Sequence, residues 1–144
     1  MRNRIPALLL ACLVGTAFGQ TGSPTPILPD TVKWSPSPIG PVLMSAWLIG
    51  APESHGMYVQ RIKIACGAKL PPHTHPDERF IVVLSGTIHV GFGETIDESK
   101  VVAIPESGMY VAPAGVPHYV WAKDGDAVYQ ESGVGPTETV FIKH

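Results

Sequence analysis

The chain has 144 residues, of which 44% are hydrophobic and 15% are charged, and its formal net charge is −2. This length and composition fit one folded domain with its own hydrophobic core. A slightly acidic balance with no basic run argues against nucleic acid or an anionic membrane surface as the main partner.

Residues 1–19 are typical of a secretory signal peptide. Two arginines precede an apolar run over residues 5–18, and Gly19 offers a small residue at the cleavage position. The run is shorter than the roughly 20 residues that a spanning helix needs. We therefore expect an exported protein, periplasmic or secreted, with no membrane attachment after cleavage. An uncleaved anchor and a lipoprotein acylated at Cys12 are the alternatives.

The remaining chain divides into a proline-rich segment and a β-rich domain. Residues 20–40 contain many prolines and predict an extended linker or an arm lying over the domain that follows. Residues 41–144 hold short β-rich segments separated by Gly and Pro turns, a pattern typical of a sandwich or barrel. The predicted strands are 57–65, 80–84, 87–92, 101–104, 109–112, 119–122 and 127–131.

Three histidines are the main candidate functional residues of this sequence. His73 and His75 are separated by one residue, so on an extended chain both imidazoles point to the same side and can meet one metal ion. The pair Pro71-Pro72 directly before them favours an extended approach. A Pro/Gly turn over residues 113–117 delivers His118 to the head of another predicted strand.

Together these elements resemble the two sequence motifs of the cupin superfamily. The first motif is Gly, five residues, His-x-His, three or four residues, Glu, six residues, Gly. The second is Gly, five residues, Pro-x-Gly, two residues, His, three residues, Asn. The matching positions are Gly67, His73, His75 and Gly86 in the first motif, and Gly108, Pro113, Gly115 and His118 in the second, which is one residue shorter before its proline.

The resemblance implies an all-β fold, an antiparallel jelly-roll barrel (double-stranded β-helix). It also implies that His73, His75 and His118, with a glutamate, bind a divalent metal ion (Fe, Mn, Zn or Ni) at the mouth of the barrel. From the same resemblance we expect a small-molecule substrate or ligand, and a homodimer.

Two positions depart from the motifs. Ala122 replaces the terminal Asn, and Arg79 occupies the Glu position, with the carboxylate of Glu78 one residue early. An arginine roughly 5 Å from a dication would be repelled by about 7 kcal/mol at an effective dielectric constant near 20, so Arg79 cannot simply replace the glutamate.

Three arrangements follow from this departure. The turn at Pro76-Asp77 shifts the register so that Glu78 points inward as a fourth ligand, and Arg79 pairs outward with an acid such as Asp77. Alternatively, three histidines hold the metal with water at the open positions. In the third arrangement the pocket holds no metal, and Arg79 anchors an anionic ligand. We expect the first.

Two classes of function fit these residues. The first is a small metalloenzyme of the quercetin-dioxygenase-like group, with dioxygenase or isomerase chemistry on an oxygenated substrate and Glu78 as ligand and base. The second is a non-enzymatic binding or sensory cupin in which Arg79 binds an anion. The fold alone does not choose between them.

Overall fold

A computed structural model describes residues 25–40 and 42–143. The expected signal peptide, residues 1–19, lies outside these residues. Within the described ranges, no helix is long and apolar enough to cross a membrane.

The described chain is built almost entirely from strands. A single 3-10 turn, Pro29–Thr31, precedes them. In chain order the strands are β1 (Ser35–Pro36), β2 (Leu43–Ile49), β3 (Gly56–Ile64), β4 (Lys69–Thr74), β5 (Arg79–Ser85), β6 (Thr87–Phe92), β7 (Val102–Pro105), β8 (Met109–Ala112), β9 (His118–Trp121), β10 (Ala127–Gly135) and β11 (Val140–Phe141).

The strands form two antiparallel sheets that close into a jelly-roll barrel. The larger sheet has the order β1-β2-β3-β10-β5-β8, and the smaller has the order β11-β4-β9-β6-β7. Strands that are distant in the chain are neighbours in both sheets, which is the crossing pattern of a double-stranded β-helix. The prediction of an all-β antiparallel barrel is therefore confirmed.

Period-two alternation decides which side chains enter the barrel. On β3, Tyr58, Ile62 and Ile64 are buried while their neighbours along the strand are more exposed. On β5, the inward residues are Ile81 and Val83. Because alternate side chains of a strand leave opposite faces, the two sheets meet over one hydrophobic core.

Glycine is required at the turn between β5 and β6. Gly86 has a φ of 75°, and a Cβ atom added there would lie 2.3 Å from the Asp126 carbonyl oxygen. Only a residue without a side chain fits both the left-handed backbone and this close approach. The turn brings β6 into the second sheet, next to the strand that carries His118.

The described part of the proline-rich segment, residues 25–40, adds a short edge strand to the larger sheet. As an edge strand, Ser35 pairs with Ser45 and Pro36 pairs with Met44. Just after this pairing, Ser37 becomes buried. The segment thereby contributes to the wall of the cavity described below.

Candidate metal centre

The three predicted histidines come together on the smaller sheet. His73 on β4 and His118 on β9 are directly opposite each other across the strand pair. His75 follows the end of β4 by one residue. The ring centroids of His73 lie 4.3 Å from His118 and 4.9 Å from His75. One ring nitrogen of each histidine lies within 4.8 Å of the others, and all three side chains are buried.

Each imidazole is oriented by a backbone carbonyl. Nδ1 lies 2.8 Å from the Pro71 oxygen in His73, 2.8 Å from the Glu138 oxygen in His75 and 3.2 Å from the Val116 oxygen in His118. A carbonyl oxygen can only accept, so Nδ1 of each ring carries the hydrogen and Nε2 keeps its lone pair. This is the support that metal-binding histidines receive in proteins.

Burial keeps all three rings neutral. It lowers the pKa of His73 to about 4, and the repulsion that His73 and His118 would have if both were protonated is the next cause. It lowers the pKa of His75 to about 2, with the Arg79 charge next, and it also lowers the pKa of His118. Three neutral imidazoles with free Nε2 atoms fit a metal ion, because a protonated ring cannot coordinate. The cluster could therefore hold a divalent ion.

Glu78 does not join the histidines. We expected the turn after His75 to point this carboxylate inward, but Glu78 is exposed and lines a separate surface depression. The reason is the parity of β5, on which Arg79, Ile81 and Val83 face the interior. The residue directly before Arg79 therefore points to the other side.

Arg79 points inward, is only 4% exposed and is held by the protein itself. One terminal nitrogen donates to Glu131 Oε2 at 2.7 Å. The other donates to Thr137 Oγ1 at 2.7 Å and to the Glu138 carbonyl at 3.2 Å. The expected outward pair with Asp77 takes a different form, since Arg79 Nε lies 3.8 Å from Asp77 Oδ1 inside the protein.

A buried polar network surrounds this arginine. Tyr58 donates its hydroxyl hydrogen to Asp77 Oδ2 at 2.6 Å, and Thr137 donates to Asp77 Oδ1. A Cβ atom at Gly133 would lie 2.6 Å from Asp77 Oδ2 and 2.7 Å from the Tyr58 hydroxyl. Glycine at this position of β10 therefore leaves the space that the hydrogen bond between Tyr58 and Asp77 occupies. Burial raises the pKa of Tyr58, which keeps its hydroxyl protonated as a donor.

A cavity of about 370 Å³ opens beside the histidines, within the size range of small-molecule sites. His73 and His75 line it from one sheet, and Arg79 and Glu131 line it from the other. Most of the remaining wall is apolar. The other lining residues include Ile39, Leu43, Trp47, Ile62, Leu70 and Phe141, together with the polar Ser37, Ser45, Gln60 and Thr137.

These features define a β-barrel protein with a buried cluster of three histidines beside a cavity of small-molecule size. The chain belongs to the cupin family, since residues 60–134 match the family model described as "Cupin domain". The resemblance drawn from the two sequence motifs is confirmed.

Curated relatives match part of the chain. Germin-like protein 5-1 of Oryza sativa subsp. japonica is 37% identical over 65 residues, which cover 44% of this chain and 29% of that protein. Germin-like protein 1-1 of the same organism is 31% identical over 86 residues, covering 59% of this chain and 36% of that protein. The matches thus span about a third of the length of these relatives.

Solved structures share the fold. The polyketide cyclase RemF from Streptomyces resistomycificus is 18% identical with a TM-score of 0.65, covering 85% of this chain and 89% of that chain. The DMSP lyase DddQ from Ruegeria pomeroyi DSS-3 is 18% identical with a TM-score of 0.63, covering 78% of this chain and 61% of that chain. Enzymes of different reaction classes are therefore built on this barrel.

Proposed function

We propose that this protein is an exported, metal-dependent cupin enzyme that acts on a small oxygenated molecule. The observation that carries the proposal is the set of three buried imidazoles, each held by a carbonyl at Nδ1 and presenting Nε2. His73, His75 and His118 would hold the ion. A donor set of nitrogen alone favours iron, nickel or zinc over manganese, which prefers carboxylates.

The cavity supplies binding and orientation. A bound ion would polarise a substrate oxygen or activate a small ligand at its open positions. The apolar wall formed by Leu43, Ile62 and Leu70 would bind the hydrocarbon part of the substrate and exclude water. Gln60 and Glu131 place an amide and a carboxylate on the same wall, where they can bind substrate hydroxyl groups. The reaction classes that fit are oxygenation and isomerisation, and the cyclase and lyase among the similar structures add elimination and ring closure.

A binding or sensory cupin with Arg79 as the anion anchor is the alternative, and the geometry does not favour it. Both terminal nitrogens of Arg79 already donate to acceptors of the chain, and Glu131 offsets the charge. A free carboxylate would have to displace one of these partners. A ligand that raises the melting temperature in the presence of a chelator would support this alternative.

Metal content tests the proposal directly. The wild-type protein, purified from its native compartment, should carry about one transition-metal ion per chain by elemental analysis. His73→Ala and His118→Ala should remove it, because each takes away one of three nitrogen ligands. His55→Ala, at an exposed loop histidine, is the matched control and should keep the ion. A folded, metal-free wild type that takes up no added ion would contradict the proposal.

Turnover separates the enzyme from a binding protein. Oxygen uptake with a flavonol or another enediol, abolished by a chelator and restored by the metal, would identify oxygenation. Substrate conversion without oxygen uptake, with the same metal dependence, would identify isomerase, lyase or cyclase chemistry.

A further inference from the structure

Three charged side chains lie buried beside the histidine cluster. Arg79 makes a 2.7 Å ion pair with Glu131, and its Nε atom lies 3.8 Å from Asp77. The side chains of all three are at most 10% exposed. We term Asp77, Arg79 and Glu131 the Arg79 cluster; with Arg79 protonated and both carboxyl groups ionised, it carries one net negative charge. Buried charges are weakly screened by salt, so this group acts on its surroundings at close range.

The Arg79 cluster is joined to the histidines through a single atom. The Glu138 carbonyl oxygen accepts from Arg79 at 3.2 Å and lies 2.8 Å from Nδ1 of His75. Arg79, Glu131, His73 and His75 also line the same cavity. A dication on the histidines would therefore experience the charges of this cluster.

The ligands themselves bring no charge to offset a dication. Three neutral imidazoles contribute none, and the residue that replaces the motif glutamate is a cation. An uncompensated Arg79 would oppose metal binding, and the two carboxylates of its cluster reverse that effect.

We propose that Glu131 is the charge-balancing residue of the metal centre: it fixes Arg79 and offsets its charge, so that an uncharged three-histidine site can bind a dication. Glu131 acts through Arg79 and is a positioning residue. This inference rests on the proposed metal site and adds a role that neither motif contains.

The test is the affinity of the purified apoprotein for Zn²⁺ and Ni²⁺, measured by titration calorimetry. Glu131→Gln should weaken binding at least about tenfold, as changes beside metal ligands do. Arg79→Gln should bind as tightly as the wild type or more tightly. The double variant, Arg79→Gln with Glu131→Gln, keeps the net charge of the Arg79 cluster and should bind the metal within about twofold of the wild type. Glu106→Gln removes the same charge from an exposed turn and should change nothing.

The opposite signs of the two single variants separate charge balance from a structural role. If the ion pair only held the fold together, both single variants would weaken binding, and that result would overturn the inference. A double variant as weak as Glu131→Gln would also overturn it, because Glu131 would then be a ligand. If Glu131→Gln does not fold, Arg79→Gln decides, and tenfold weaker binding by that variant refutes charge balance. A wild type that binds no metal instead defeats the proposed function itself.

Discussion

Tyr58→Phe removes one of the hydroxyl groups that donate to Asp77. The expected loss in the free energy of unfolding can be derived from the hydrogen bonds to Asp77. Tyr58 is 0% exposed and donates to a carboxylate oxygen at 2.6 Å. A hydrogen bond to a charged group contributes about 1.5–3 kcal/mol, and its loss leaves a buried acceptor without that donor. Thr137 remains as a second donor to Asp77, and Phe keeps the ring volume. We therefore expect a loss of about 2 kcal/mol in the free energy of unfolding.

Urea denaturation measures this loss, and a melting temperature lower by about 4–8 °C should accompany it. Tyr129→Phe is the matched control: it removes a hydroxyl from a side chain that is 1% exposed, for which the described part of the chain shows no hydrogen bond. That variant should lie within about 0.5 kcal/mol of the wild type. Equal losses in the two variants, or a loss below about 0.5 kcal/mol for Tyr58→Phe, would refute the reasoning.

Two further predictions concern pH and export. With a chelator present, the free energy of unfolding should fall from pH 6.5 toward pH 4. In this range His73 and His75 bind protons in the unfolded chain but stay neutral in the folded protein, where their pKa values are about 4 and 2. Each histidine should contribute about 1.4 kcal/mol per pH unit, and urea titrations at pH 7 and 5 should show a smaller fall for His73→Ala. The mass of the protein isolated from the periplasm or medium should correspond to a chain that starts at Gln20, whereas an intact chain retained in the cytoplasm would contradict export.

Strand positions could be predicted where hydrophobic residues and turns alternate clearly. The segments 87–92 and 109–112 agree residue for residue with β6 and β8. Strand β4 was not predicted, because Pro71 and Pro72 lie inside it and proline has no N–H to donate to the ladder. The structure accommodates them with a register shift between Leu70 and His73.

His73 and His75 could be predicted to share one face because a single residue separates them, whereas His118 is grouped with them through the resemblance to the second cupin motif. The orientation of Arg79 could not be predicted, because both faces of β5 are apolar: Ile81 and Val83 on one, Phe80 and Leu84 on the other. With such a strand, alternation does not say which set enters the barrel. Its partner Glu131 lies 52 residues further along the chain, so the pairing appears only when β5 and β10 are neighbours.

The Glu138 carbonyl has a consequence for how this site tolerates mutation. It orients His75 and binds Arg79, yet it belongs to the main chain, while the Glu138 side chain is exposed. Any residue type supplies the same main-chain oxygen, so Glu138→Ala would keep both contacts and alanine scanning would not detect them. The link between His75 and the Arg79 cluster can therefore be kept while the residue type at position 138 varies, and the residue type does not reveal it.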